Sequence, residues 1–278
     1  MNSSLLRWFK FSLKCGVAGL LGVLLASASG CASKIESVLS GSNRTEIVTD
    51  SDEPETRRRA RIRLELAVGY FEQGQTTIAL DELKQSLAAD PDYAEAYSLR
   101  GLIYMRLNDF RIAEESFKKS IALSPKDSNV VHNLGWLLCI QAKYPDSIEL
   151  FFKALSNPQY GERAKTYRAL GLCQARAGLR AEAEASLLKS HEFDAGNPVT
   201  AFNLATLLFQ RADYIRAQFY VRRLNNSELA NAESLWLGIK VERRLENRDA
   251  MLQLAGQLLK RFPQSNEAVA YQRGAFDE

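Results

Sequence analysis

Three regimes of apolar and polar residues follow one another along the chain. The first is an uncharged, mainly apolar run of eleven residues, Cys15 to Leu25, behind Arg7, Lys10 and Lys14. From Ala32 to about Glu53, Ser, Thr, Asn and Asp dominate and no apolar period is sustained. Pro54, flanked by Glu53 and Glu55, marks the first turn of a helix. Beyond it small residues recur in pairs twelve positions apart: Ala67/Ala79, Gly101/Ala113, Gly135/Ser147, Gly171/Ala183, Ala205/Ala217 and Gly238/Ala250. The first members lie 34, 34, 36, 34 and 33 residues apart. Two helices that cross closely need a small residue from each at the crossing, because a larger side chain would push the backbones apart. Leu83, Phe117, Phe151, Leu187, Val221 and Leu254 follow four residues after each second member, on the same helical face, which packs inward. Pro91, Pro125, Pro158 and Pro263 supply breaks between units. The pattern predicts six helical hairpins, over 60–93, 94–127, 128–161, 164–197, 198–230 and 231–264. No hairpin can bury its apolar face alone, so they stack in series.

This register is that of the tetratricopeptide repeat (TPR), whose eighth and twentieth positions are small. The expected fold is all-α, a right-handed α-solenoid of six TPR hairpins occupying 54–264. Tyr97 and Tyr167, with Trp236 displaced by two, are the large residues near the helix crossing, and Tyr70 and Tyr104 fill the eleventh position. Repeats four and five lack the closing proline, and the tail 265–278 carries no recognisable pattern.

The apolar run at the start is shorter than the roughly 20 residues a membrane-spanning helix needs and suits the core of an export signal over residues 1–30. It ends in Ala26-Ser27-Ala28-Ser29-Gly30 followed by Cys31, which resembles a bacterial lipobox with Ala28 where Leu is usual. On that resemblance Cys31 is the lipid attachment site, carrying a diacylglycerol and an N-acyl chain. Ordinary cleavage near the same small residues, with Cys31 incidental, is the alternative. Ala32, rather than Asp, follows the cysteine, and by the same resemblance the address is the outer membrane, lipid-anchored on its periplasmic face in the inner leaflet. The polar stretch 31–53 then acts as a tether able to reach roughly 70–80 Å when extended.

Charge excludes one class of partner. The net charge is +3, but residues 1–30 hold three basic residues and no acid, so 33 basic and 33 acidic residues remain beyond them. A neutral body gives no argument for nucleic acid. Catalysis and metal binding are not expected either. His132 and His191 are the only histidines, far apart and without Cys or carboxylate at metal-ligand spacing, and no phosphate-binding or nucleophile-elbow motif occurs. No cofactor is implied beyond the lipid on Cys31. Cys139 and Cys173 lie in neighbouring repeats and are expected as two buried thiols, a bridge being the alternative. The basic run Arg57-Arg58-Arg59, with Arg61 and Arg63, reads as a solvated helix face offset by Glu53, Glu55 and Glu65, or as an electrostatic contact to headgroups or an acidic partner.

In TPR arrays the first helix of each repeat lines the concave wall through positions 2, 5, 9 and 12. These are Arg61, Leu64, Val68 and Phe71 in repeat one, and Glu95, Ser98, Leu102 and Met105 in repeat two. Repeat three contributes Asn129, His132, Trp136 and Cys139. The candidate partner-binding groove is therefore Leu64, Val68, Phe71, Leu102, Met105, His132 and Trp136, an apolar trough suited to an amphipathic or extended segment. Val68 and His132 stand where arrays that clamp a C-terminal carboxylate carry polar or cationic groups, which argues against that mode.

The most specific local signature lies in repeat six: Asn231-Ala232-Glu233-Ser234-Leu235-Trp236-Leu237-Gly238-Ile239, then Asn247-Arg248-Asp249 and Leu258-Leu259-Lys260-Arg261-Phe262-Pro263, with Leu170-Gly171-Leu172 in repeat four. With the lipobox, the tether and six repeats, it resembles the PilF/PilW family of type IV pilus biogenesis lipoproteins, the pilotins. The resemblance implies an outer-membrane lipoprotein needed for a PilQ-like pilus secretin to reach the outer membrane and assemble into its multimer, and no enzymatic activity. Two other envelope roles for a TPR lipoprotein remain open on composition alone: a subunit of a β-barrel insertion machine, and an adaptor for a peptidoglycan hydrolase.

Overall fold

Six times along the chain a residue of positive φ turns one helix back on the next: Gly74, Asn108, Ala142, Gly178, Ala212 and Glu246, with φ between 57° and 81°. These turns divide the helices of a computed structural model that describes residues 52–276. The leader, Cys31 and most of the tether lie outside the described residues. The hairpins are α1 (Glu55–Glu72) with α2 (Thr76–Ala89), α3 (Ala94–Arg106) with α4 (Phe110–Leu123), and α5 (Ser128–Ile140) with α6 (Tyr144–Leu155). They continue with α7 (Arg163–Arg176) and α8 (Arg180–Phe193), α9 (Pro198–Gln210) and α10 (Tyr214–Asn225), and α11 (Ala232–Arg244) and α12 (Arg248–Arg261). No strand occurs among the described residues. The fold is the expected solenoid of TPR hairpins.

The helix boundaries follow from local chemistry. Asp109, Asp127, Asn197, Asp213 and Asn247 each accept a hydrogen bond from a backbone N–H in the first turn of the helix they precede. Asn231 does so within a reciprocal box with Ser234. Pro198 stands in the first turn of α9, where its missing N–H costs nothing.

Helix crossings explain the small residues. Ala67, Ala79, Ala113, Ala183, Ala205 and Ala217 are fully buried. A Cβ on Gly101 would lie 2.4 Å from the Phe117 ring, so that aromatic can fill the crossing only because Gly101 leaves it room. Ser147 fits the same niche by donating to the Gly135 carbonyl at 2.7 Å. A second device ties the two helices of a repeat: Ser86, Ser120 and Ser190 donate to the carbonyls of Ala60, Ala94 and Ala164, each 26 residues back. These hydroxyls are buried and satisfied, as an interior polar group must be.

Two findings depart from the sequence reading and a third extends it. Cys139 and Cys173 form a disulfide rather than a pair of thiols, with Cα atoms 5.8 Å apart. Stacking sets α5 beside α7 and brings position twelve of one repeat against position ten of the next, within the span a disulfide bridges. The tail contains an additional helix, α13 (Asn266–Arg273), capped by Ser265 and packed on α11 and α12. Ala268 is buried there, and Phe276 stacks on Trp236 with centroids 5.3 Å apart, so this end covers the apolar face of the last repeat. Finally, four of the five arginines at the start of α1 are held by acids: Arg57 by Asp90, Arg58 by Glu55, Arg61 by Glu53 and Glu65, and Arg63 by Glu82. The cluster serves largely to join the first hairpin to itself and to the turn after it.

Candidate partner-binding wall

Odd-numbered helices also touch one another, α1 with α3, α3 with α5, α5 with α7 and α9 with α11, whereas no two even-numbered helices of successive hairpins share a comparable contact. The odd helices therefore form the tighter inner layer, and their outward stripe is the wall on which a guest segment can lie.

The proposed groove residues divide into two groups. Val68 is exposed, and Phe71, Leu102, Met105 and Trp136 are half-buried, each with its base in a core cluster and an edge at the surface. Leu64 and His132 are buried and present no wall surface, which corrects their expected place in the groove. Leu64 shares a helix face with Ala60, Ala67 and Phe71, at spacings of four, three and seven, and that face packs into the core shared with α2 and α3. His132 is drawn inward because its Nδ1 lies 2.8 Å from Thr166 Oγ1, itself 2.9 Å from the Tyr160 hydroxyl.

Burial dominates the electrostatics of His132. It lowers the imidazole pKa to about 4, with smaller contributions from the positive charges of Lys165 and Arg168. The folded state thus keeps His132 neutral where the unfolded chain would protonate it. Its contribution is complete above pH 6.5 and is lost as pH falls through about 4, amounting to roughly 3 kcal/mol. Urea denaturation at pH 7 and pH 4 is expected to show a smaller acid loss for His132→Gln than for the parent chain; equal losses would remove His132 from the account.

A feature the sequence reading missed recurs along the wall. The Arg106 guanidinium lies 5.1 Å from the Phe71 ring centroid and also donates to the Phe71 carbonyl at 3.1 Å. Arg176 lies 5.3 Å from the Trp136 ring, and Lys240 lies 5.6 Å from Phe209. In each case a cation from a later repeat covers a wall aromatic from an earlier one. Arg106 and Arg176 both occupy the thirteenth position of their repeats, one residue beyond the positions read as wall. The trough is thus amphiphilic, with apolar floors and cationic lips. Farther along, Pro198, Val199, Phe202, Leu224 and Leu229 line a cavity of about 390 Å³ beside Glu233, so apolar lining continues into repeats five and six.

No helix among the described residues is long and apolar enough to cross a membrane, and none of their His, Cys, Asp and Glu side chains group as a metal site would require.

Paired helices, small crossings and an inner wall of odd helices define a TPR protein, and family models described as TPR repeat and tetratricopeptide repeat match residues 69–108 and 94–127. Within that class the chain closely matches the PilF/PilW proteins of type IV pilus biogenesis. It is 27% identical to the type IV pilus assembly protein PilF of Pseudomonas aeruginosa over 255 residues, 92% of this chain and 97% of that protein. Superposed on the crystal structure of PilW, described as a widely conserved type IV pilus biogenesis factor, it gives a TM-score of 0.70 at 27% identity, covering 77% of this chain and 98% of that one. A solved P. aeruginosa PilF structure gives 0.72 at 26% identity, covering 80% and 100%. The relatives are pilus assembly factors built on the same repeats, a class that works through protein contacts.

Proposed function

We propose that the protein is a pilotin: a lipoprotein, anchored through acyl chains on Cys31 to the periplasmic face of the outer membrane, that captures a segment of a type IV pilus secretin and promotes its assembly. The similarity along nearly the whole chain to PilF and PilW carries this reading. The wall of repeats one to three supplies a physical means. An amphipathic segment of the secretin would lay its apolar side on Val68, Phe71, Leu102, Met105 and Trp136, and its carbonyl or carboxylate oxygens would meet Arg106 and Arg176. Several acyl chains hold a protein at a bilayer where one holds it only marginally. Capture at one membrane would then raise the effective concentration of secretin subunits.

Because both aromatics keep part of their surface exposed, a charged replacement should leave the helices intact. Phe71→Asp with Trp136→Asp is expected to abolish co-purification with secretin fragments and the detergent-resistant secretin multimer, at unchanged helical circular dichroism. A folded double variant that still captures secretin would remove this wall from the mechanism. Loss of porins together with the multimer would point to a general β-barrel role instead.

A further inference from the structure

The first hairpin lacks what every later hairpin has. The third residue of repeats two to five, Ala96, Val130, Thr166 and Thr200, is buried against the preceding unit. So is the seventh residue of repeats three to six, Leu134, Leu170, Leu204 and Leu237. The same register in repeat one holds Ile62 and Leu66, which are 45% and 44% exposed. Terminal repeats ordinarily carry a polar outer face. The C-terminal end obeys that need by adding α13, whereas Ile62 and Leu66 on α1 stay nearly half exposed among the described residues.

Two further properties of this face indicate what covers it. Gly69, one turn beyond Leu66, has no atom within 4 Å of where a Cβ would stand. A glycine inside an exposed helix costs about 0.5–1 kcal/mol relative to alanine, and no intramolecular crowding here requires it. It does permit the close approach of another helix. Charges of opposite sign also stand at the two ends of this face: Arg58 lies four residues before Ile62, and Glu72 lies six after Leu66. Glu72 makes no ion pair among the described residues, and Arg58 only an exposed one with Glu55 at 3.6 Å.

We infer that α1 pairs antiparallel with α1 of a second copy across a twofold axis. Ile62 then packs on Leu66 of the second copy and the reverse, Gly69 admits the partner backbone, and Arg58 of each chain faces Glu72 of the other. Such self-complementarity is what an isologous contact requires and what a foreign helix would not. The apolar centre of the contact lies off the wall, because Val68 is six residues from Ile62, about 120° around the helix; only Glu72, one turn beyond Val68, borders it. A single helix pair is at the small end of specific interfaces, so the dimer is weak and its population depends on local concentration.

Sedimentation equilibrium of the full chain in density-matched detergent tests this. A monomer–dimer equilibrium is expected, weakened at least tenfold by Leu66→Glu. Arg58→Glu and Glu72→Arg should each weaken it similarly, and the two together should restore it. A chain monomeric at every concentration overturns the inference. So does dimerisation that survives Leu66→Glu, or a charge-swapped double variant that stays weak. All three replaced residues are exposed, and secretin capture by the Leu66→Glu and Arg58→Glu variants should be unchanged, which separates this inference from the wall.

Discussion

Alanine at both Cys139 and Cys173 is expected to lower the stability of the repeat body by about 4 kcal/mol. The bridge joins residues 34 apart, and closing a loop of that size removes that much freedom from the unfolded chain in the chain-entropy account. The position magnifies the effect. In a solenoid each unit is held by its neighbours alone, and this bond fixes repeat three to repeat four at their shared interface. Cys139 lies three residues beyond Trp136, and Cys173 three before Arg176, so the bond also holds the aromatic and the guanidinium that covers it in register. Urea denaturation of the double alanine variant should show the lowered midpoint, and under reducing conditions the parent chain should approach the variant. If both chains unfold at one midpoint under oxidising conditions, the bridge contributes nothing and the two residues serve as packing alone. Secretin capture should weaken alongside, because the Trp136–Arg176 contact loosens.

The second large effect is expected at Glu242, whose side chain is fully buried between hairpins five and six. Arg222 Nε and Nη2 donate to its two oxygens at 2.6 and 3.0 Å, and Gln218 Nε2 donates at 2.8 Å. Arg222→Met removes the counter-charge and leaves a carboxylate in the interior with one amide for company. Breaking a wholly buried pair costs about 3–5 kcal/mol, and because the Arg222 side chain is 45% exposed the loss here should fall below that. Removing both charges, as Arg222→Met with Glu242→Met, should recover most of that loss, because the pair's attraction is largely spent on its own desolvation. Thermal denaturation of the two variants decides the matter. A single variant as stable as the parent would show that water reaches Glu242, and a double variant no better than the single would show that shape, not charge, is what the site requires.

Both sites show where sequence reasoning stopped. Glu242 falls at a position of repeat six that other repeats use for the wall, and only the turn of α11 against α10 reveals that it points inward. Arg106 and Arg176 looked like ordinary surface cations, because the aromatics they cover lie 35 and 40 residues earlier. Helix α13 was missed because an eight-residue segment cannot repeat a 34-residue pattern. His132 shared its nominal wall position with Leu64 and Ser98, yet Thr166, 34 residues on, drew it into the core.

Sequence alone determined the hairpin repeat, its spacing and the small residues at the helix crossings. Those properties depend on spacing within one unit, where a bulky side chain would separate two backbones whatever lies next door. Tertiary structure alone decided which wall residues keep a surface, which cations cover them, that the two cysteines meet, and that α13 covers one end while Ile62 and Leu66 stay half exposed among the described residues at the other. These depend on the rotation of each hairpin against the next, which is settled by packing between units and is written at no single position of the chain.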